Sequence, residues 1–317
     1  MNKIKVVFFG TPDFSVPALE MLYNHAKIDL KYVVSMPDRK QGRGMEMKSP
    51  EVIEFAKNNK IPFFQTQNIN QENDFLQQLR SEGIDIFVVL AFAQFLNQEL
   101  LSLPRLGCFN IHTSLLPKYR GAAPIQYALL NGDQETGVSI QKMVKKMDAG
   151  DIAHSSPIAI ASHETGGQLY TRLKFLAALC LNEFIEKLLE NKVEFSPQNE
   201  DHVSFAPTLK REDGVLEFNK LTTDEAFNKI RALFPWPGTH CFLNGKRLKI
   251  LTANYSELKV APGQVNTDSN KLIVGCTDGS LRLSQVQLAG KKASSDIELL
   301  NGIKGDIVIS TNEGKKA

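Results

Sequence analysis

From residue 4 to residue 189, short apolar runs alternate with stretches whose apolar residues recur at helical spacing, and few folds accommodate that order. Residues 4–9 are rich in β-branched and aromatic side chains and read as a buried strand. Residues 16–25 follow, with Val16, Leu19 and Leu22 on one side and Pro17 at an early position that helices tolerate. The same reading gives strands over 30–35, 63–65, 84–91 and 107–111, and helices over 50–59 and 73–82. A helix over 125–131, strands over 138–142 and 152–160, and a long helix over 169–189 complete the series. This alternation predicts an α/β fold with right-handed crossovers, a Rossmann-like, mainly parallel sheet with helices on both faces.

At 317 residues the chain exceeds what one core usually fills. A first domain is expected over 1–195, a polar, proline-containing linker over 196–213, and a second domain over 214–317. After a helix over 223–233, the second domain holds short runs at 238–243, 247–253, 263–265, 271–275, 280–287 and 305–308. Asn244-Gly245 and Asp278-Gly279 punctuate them as turns. That pattern predicts a small β-barrel, OB-like in type.

Charge excludes one class of function. A net +2 is too little for a bulk polycation, so any contact with nucleic acid must come from a local basic patch. The cysteines (108, 180, 241, 276) are scattered without a C-x-x-C pair, which favours structural thiols over a metal site or a disulfide framework. No apolar run approaches the ~18 residues of a membrane span. The run at 6–9 is too short for a signal peptide, so a cytoplasmic protein is expected. Gly10-Thr11-Pro12 carries one glycine where a dinucleotide fold would carry G-x-G-x-x-G, so it reads as a structural turn and NAD chemistry is rejected.

Chemistry concentrates where Asn110-Ile111-His112 ends a predicted strand. Residues two apart share a face, and ligands of parallel sheets sit at such C-terminal strand ends. An amide donor and an imidazole aimed at one point suit acyl transfer, one bonding an oxyanion and the other moving a proton. Asp148, in Met147-Asp148-Ala149-Gly150-Asp151, would orient the imidazole and favour its charged form, with Gly150 free to take positive φ. The residues alone leave a second reading open, since a strand N-x-H is more often a hydrogen-bonded structural pair and Asp148 an ordinary turn residue. A metal on His112, Asp148 and Asp151 lacks a second His or Cys at ligand spacing, and no metal is expected.

Taken together, Asn110-Ile111-His112-Thr113-Ser114-Leu115-Leu116-Pro117, its continuation to Ile125, and Asp148-Ala149-Gly150-Asp151 resemble the signature of the 10-formyltetrahydrofolate transformylases. Further matching segments are Phe9-Gly10-Thr11-Pro12-Asp13-Phe14, Pro37-Asp38-Arg39-Lys40-Gln41-Gly42-Arg43-Gly44, Pro104-Arg105-Leu106-Gly107-Cys108, Phe234-Pro235-Trp236-Pro237 and Ala289-Gly290-Lys291-Lys292. The resemblance implies a catalytic trio of Asn110, His112 and Asp148. It implies a folate pocket lined by Ser114, Leu115, Leu116 and Pro117, with the backbone of Val88, Val89, Leu90, Ala91 and Phe92 against the pterin ring.

The acceptor it implies is the α-amine of methionyl initiator tRNA, with 10-formyltetrahydrofolate as donor; a monomer is expected. Arg39, Arg43 and Lys48, in an insertion over 38–49, would face the tRNA, with Arg43 as its main arginine. Lys291 and Lys292 would contact phosphates, and Trp236 would be a packing anchor. Two positions depart from the family: Thr113 stands for a glycine and Leu288 for a proline. Glycinamide ribonucleotide or an amino sugar are the rival acceptors, but a small acceptor needs neither the basic loop nor the second domain. A catalytically silent RNA-binding module is the rival from another class.

Overall fold

In the computed structural model, which describes residues 3–42, 44–303 and 305–311, the first apolar run becomes the interior of a sheet. Up to residue 189 the elements are β1 (Ile4–Gly10), α1 (Val16–Asn24), β2 (Ile28–Ser35), β3 (Arg39–Gln41), β4 (Glu46–Lys48), α2 (Glu51–Asn58), β5 (Phe63–Gln65) and α3 (Asn73–Glu82). Then come β6 (Ile86–Leu90), α4 (Gln98–Leu101), β7 (Gly107–His112), β8 (Arg120–Gly121), α5 (Pro124–Leu130), β9 (Glu135–Lys142), β10 (Ile152–Ala159) and α6 (Gly166–Leu189). Seven strands form one sheet in the order β10-β9-β7-β6-β1-β2-β5. Val6, Val7, Phe8 and Phe9 of β1 are fully buried, as a strand covered on both faces requires. The pairs β1–β2, β1–β6, β6–β7 and β2–β5 are parallel and β7–β9 is antiparallel, so the sheet is mainly parallel as expected.

Gly10 ends β1 for a packing reason. A Cβ there would lie 2.8 Å from the Phe8 ring, 2.9 Å from Ser15 Cβ and 3.1 Å from the Leu90 carbonyl. The turn is a close-packed joint.

The chain divides into two units, one of Met1–Gly121, Thr136–Ala159 and Tyr170–Phe205, the other of Ala122–Glu135, Ile160–Leu169 and Ala206–Ala317. Two segments from before residue 195 therefore belong with the second unit. Arg231 holds one of them, donating to the carbonyls of Ala161 and Glu164.

Later elements are β11 (Phe205–Ala206), α7 (Thr223–Ala232), β12 (Thr239–Leu243), β13 (Lys246–Ser256), β14 (Val265–Asn266), β15 (Ile273–Gly275), β16 (Ser280–Leu288), β17 (Ser294–Ser295), α8 (Asp296–Asn301) and β18 (Ile309–Ser310). The strands from β12 onward form the expected barrel-like antiparallel sheet, in the order β14-β15-β16-β13-β12-β18 with β17 on β16. Leu248 and Ile250 of β13 and Leu281 and Leu283 of β16 alternate into its core, and Val286 joins them across an irregularity in the β13–β16 register. Leu288 pairs with Leu248 and packs against that core, so leucine fits where the family has proline.

Some expectations shift. The strand read at 305–308 lies at Ile309–Ser310, and α4 and α8 were not foreseen. Trp236 is no packing anchor, being 54% exposed. The four cysteines are free and buried, as structural thiols should be. Among the described residues no helix is long and apolar enough to cross a membrane.

Inside the second unit, Asp296 is fully buried and takes a forked pair of bonds from Arg282, at 2.8 and 2.9 Å, plus the Leu272 N–H at 3.0 Å. Burial pushes its carboxyl up, but these donors outweigh that and hold it below the ordinary value. A depressed carboxyl adds stability that is present above the unfolded-chain value of 3.8 and is lost as pH falls through the folded value. Acid denaturation should therefore begin to draw on Asp296 only below that pH. Asp296→Ala, which strips Arg282 of a buried acceptor, should cost about 3–5 kcal/mol in urea unfolding at neutral pH. Its penalty should shrink as the pH is lowered.

Candidate active site

The join between β7 and β9 builds one polar face. Asn110 lies opposite Gln141, Ile111 opposite Ile140, and His112 opposite Ser139. Alternation sends Ile111 and Ile140 to the other face. His112, Ser139 and Gln141 are all buried, so each polar atom needs a partner.

His112 Nε2–H donates to the Tyr119 carbonyl at 2.8 Å, since a carbonyl can only accept. Its Nδ1 faces Asp148 Oδ2 at 3.8 Å, so a proton there makes the ring a cation beside a carboxylate. Asp148 Oδ1 accepts from Gln141 Nε2 at 3.0 Å and from Asn110 Nδ2 at 3.4 Å, and Oδ2 accepts from the Gly121 N–H at 2.9 Å. The trio expected from the sequence is thus brought together. The Asn110 contact is long, and the second amide hydrogen remains to meet a ligand.

Asp148 sits at φ 50°, in the left-handed region that costs an ordinary residue ~1 kcal/mol or more. The strained position was expected at Gly150. Gly150 instead serves close approach: a Cβ on it would lie 1.7 Å from the Lys142 carbonyl. Tyr119 (φ 61°) and, at the end of β6, Ala91 (φ 51°) and Ala93 (φ 61°) share the left-handed conformation.

A polar shell that the sequence reading missed surrounds Asp148. Gln198 donates through Nε2 to the carbonyls of Asp148 (2.9 Å) and Gly150 (2.7 Å). Arg120, almost fully buried, donates to Gln198 Oε1 through Nε (3.0 Å) and Nη2 (2.8 Å) and reaches Glu200 at 2.8 Å. Arg120 and Lys146 hold the Glu200 carboxyl down at about 2. The available signal was Arg120 itself, a lone arginine in a stretch otherwise poor in charge.

The residues expected to meet a folate are placed unequally. Val88, Val89, Leu90 and Phe92 are buried in the core, which leaves backbone as their means of contact, and Ala91 is exposed. The Leu90 carbonyl already accepts from the Ser15 hydroxyl at 2.7 Å. Ser114 is fully buried, and its hydroxyl closes its own turn by donating to the Lys118 carbonyl at 2.6 Å. It shapes the turn and offers no free hydroxyl at a pocket wall. Ser139 braces the same turn, donating to the Ser114 carbonyl and accepting from the Leu116 N–H. Leu116 is buried, while Leu115 and Pro117 are half-buried.

Residues 38–49 contain a hairpin in which Arg39 of β3 faces Lys48 of β4, both exposed. Like charges directly opposed destabilise a hairpin, and an anion between them removes that cost. Lys48 is also 3.9 Å from Glu51. Arg43 lies outside the described residues. Lys291 and Lys292 are exposed in the turn after β16. Among the described residues no cluster of His, Cys, Asp or Glu could hold a metal ion.

Residues 2–185 match the model of the family described as formyl transferase, and residues 208–304 that of the formyl transferase C-terminal domain. The methionyl-tRNA formyltransferase of Streptococcus agalactiae serotype III (strain NEM316) is 38% identical over 98% of this chain and 99% of its own. That of Thermotoga maritima is 38% identical over 94% of this chain and 95% of its own. Among solved structures, the sugar 3N-formyl transferase WlaRD, in the presence of dTDP and 5-N-formyl-THF, superposes with a TM-score of 0.67. It is 23% identical and covers 92% of this chain and all of its own, so it shares the fold. HypX from Aquifex aeolicus, in complex with tetrahydrofolic acid, matches with a TM-score of 0.61 at 16% identity, covering 96% of this chain and 49% of its own.

Because the Gly150 Cα is pressed against the end of β9, Gly150→Ala should displace the turn that carries Asp148. A loss of at least about 2 kcal/mol in urea unfolding is expected, at the upper range for single substitutions. An unchanged midpoint would mean the turn relaxes freely.

Proposed function

Because the chain belongs to the formyl transferase family, we propose that it transfers a formyl group from 10-formyltetrahydrofolate to the α-amine of methionyl initiator tRNA. The observation that carries this reading is the convergence of Asn110, His112 and Asp148 on one strand face. Likeness to methionyl-tRNA formyltransferases at 38% identity along nearly the whole chain supports tRNA as acceptor. The sugar-modifying relative, at 23% identity, argues for fold alone.

The neutral amine attacks the formyl carbon, a new N–C bond forms, and the carbonyl oxygen becomes an oxyanion. Asn110 donates an amide hydrogen to it, and the imidazolium of His112, backed by Asp148, stabilises the charge. The proton lost by the amine passes through this pair to N10 of the folate. The C–N10 bond then breaks, leaving tetrahydrofolate and the formylated aminoacyl-tRNA. No metal takes part in this scheme. The folate binds by Leu115, Leu116 and Pro117 and by the backbone that follows β6, with Ser114 holding the turn. The hairpin bearing Arg39 and Lys48, with Arg43 between its strands in sequence, meets the tRNA, as do Lys291 and Lys292. The catalytic domain within 1–195, apart from the two segments that group with the later residues, and the barrel of 214–317, joined by 196–213, work as a monomer in the cytoplasm, where translation starts.

Asn110→Ala and His112→Ala should each lower kcat by about 10²–10³ in a formylation assay with little change in urea midpoint. Near wild-type rates in either would sink the assignment. Arg39→Ala and Lys48→Ala should each flatten the salt dependence of tRNA affinity, by close to ~1 in log–log slope, and leave the KM for the folate donor unchanged. A slope identical to wild type would remove the hairpin from the tRNA interface.

A further inference from the structure

We propose that Gln141 is a positioning residue that acts through Asp148, deciding which carboxylate oxygen faces His112. Gln141 is 2% exposed and stands directly across from Asn110 on the neighbouring strand. Its amide grips the catalytic turn at two points: Oε1 accepts from the Gly150 N–H at 3.0 Å, and Nε2 donates to Asp148 Oδ1 at 3.0 Å. The first bond fixes the orientation of the second, because an amide rotated by half a turn would set its NH₂ against the Gly150 N–H. Oδ1 is therefore committed to Gln141, and Oδ2 is left toward Nδ1 of His112.

Two further observations point the same way. Asp148 is held at φ 50°, a conformation that persists only where the surroundings over-determine it. Gln198 holds the opposite side of the turn through the carbonyls of Asp148 and Gly150, its own orientation set by Arg120 on Oε1. Gln198 thus fixes the backbone of the turn, and Gln141 is the side chain that reaches from β9 to the carboxylate itself.

The kinetic part of the test rests on the formyl-transfer reading, and amide exchange in the free protein does not. Gln141→Met keeps the chain length and removes both contacts, the donor to Asp148 Oδ1 and the acceptor of the buried Gly150 N–H. It should lower kcat roughly ten- to hundred-fold, the worth of one hydrogen bond to a charged group, with both KM values within about two-fold. Gln141→Glu, which keeps an acceptor for Gly150 but sets a second carboxylate against Asp148, should lose at least as much. In an Asp148→Ala background, Gln141→Met should cause no further loss.

Separately, the Gly121 N–H, which bonds Asp148 Oδ2 and not Gln141, should exchange about ten-fold faster in Gln141→Met as the carboxylate drifts. Multiplicative losses in the double variant, or unchanged exchange at Gly121, would overturn the proposal. A wild-type protein that formylates no methionyl initiator tRNA would overturn the functional reading instead, and Gly121 exchange would still decide the role of Gln141.

Discussion

The antiparallel join of β7 to β9 is the constraint on which the site depends. The pairs β1–β2, β1–β6, β2–β5 and β6–β7 are parallel, and parallel strands bury both faces in apolar side chains. At this join the register sets Asn110 against Gln141 and His112 against Ser139, so a polar ladder runs beside an apolar one. A slip of β9 by one residue would turn Ser139 and Gln141 to the apolar face and set Ile140 among the polar side chains. Register here is therefore set by hydrophobicity, and the chemistry is a by-product of that setting. Gly137 lets β9 approach β10 closely, since a Cβ there would lie 2.4 Å from the Ser156 carbonyl of β10 and 2.6 Å from the Leu115 side chain.

What could be read in the sequence follows from the range over which each force acts. Elements made by local apolar patterning, such as β1, α3 and β7, were legible almost to the residue. The β3–β4 hairpin was not, because Arg39, Lys40, Glu46 and Lys48 give no apolar alternation; it read as a basic loop. The pairing of Asn110 with His112 was legible because strand periodicity is local. Asp148 was not, because its approach to them depends on the 148–150 turn folding back against β9, and nothing local encodes that contact. Family resemblance supplied it. Gln141 and Gln198 escaped for a related reason: a glutamine reads as solvent-facing until the fold shows its partners, Gln141 being buried and Gln198 half-buried against the Asp148 turn.

The glycine of the Asp148 turn shows how a correct location can come with a wrong cause. Gly150 was expected to supply positive φ, which is the commonest reason for a glycine in a turn. The positive φ belongs to Asp148, and Gly150 is needed because its Cα lies against the Lys142 carbonyl. The two requirements differ in consequence. A residue needed for its φ tolerates asparagine, whereas one needed for its missing Cβ tolerates nothing larger.

Strain at Asp148 and the bonds around it form a single balance. A left-handed aspartate is unfavourable by ~1 kcal/mol or more, and each hydrogen bond to a charged group returns roughly 1.5–3 kcal/mol. Three donors reach its carboxylate: Gln141, Gly121 and, at longer range, Asn110. Its carbonyl is held by Gln198. Those contacts exceed what strain alone demands, which is the condition for a carboxylate fixed in direction as well as in place. In the proposed transfer the His112 imidazole gains and loses a proton during one turnover, and such a partner suits that role. Were Asp148 free to rotate, the proton on Nδ1 would find a differently placed acceptor each time.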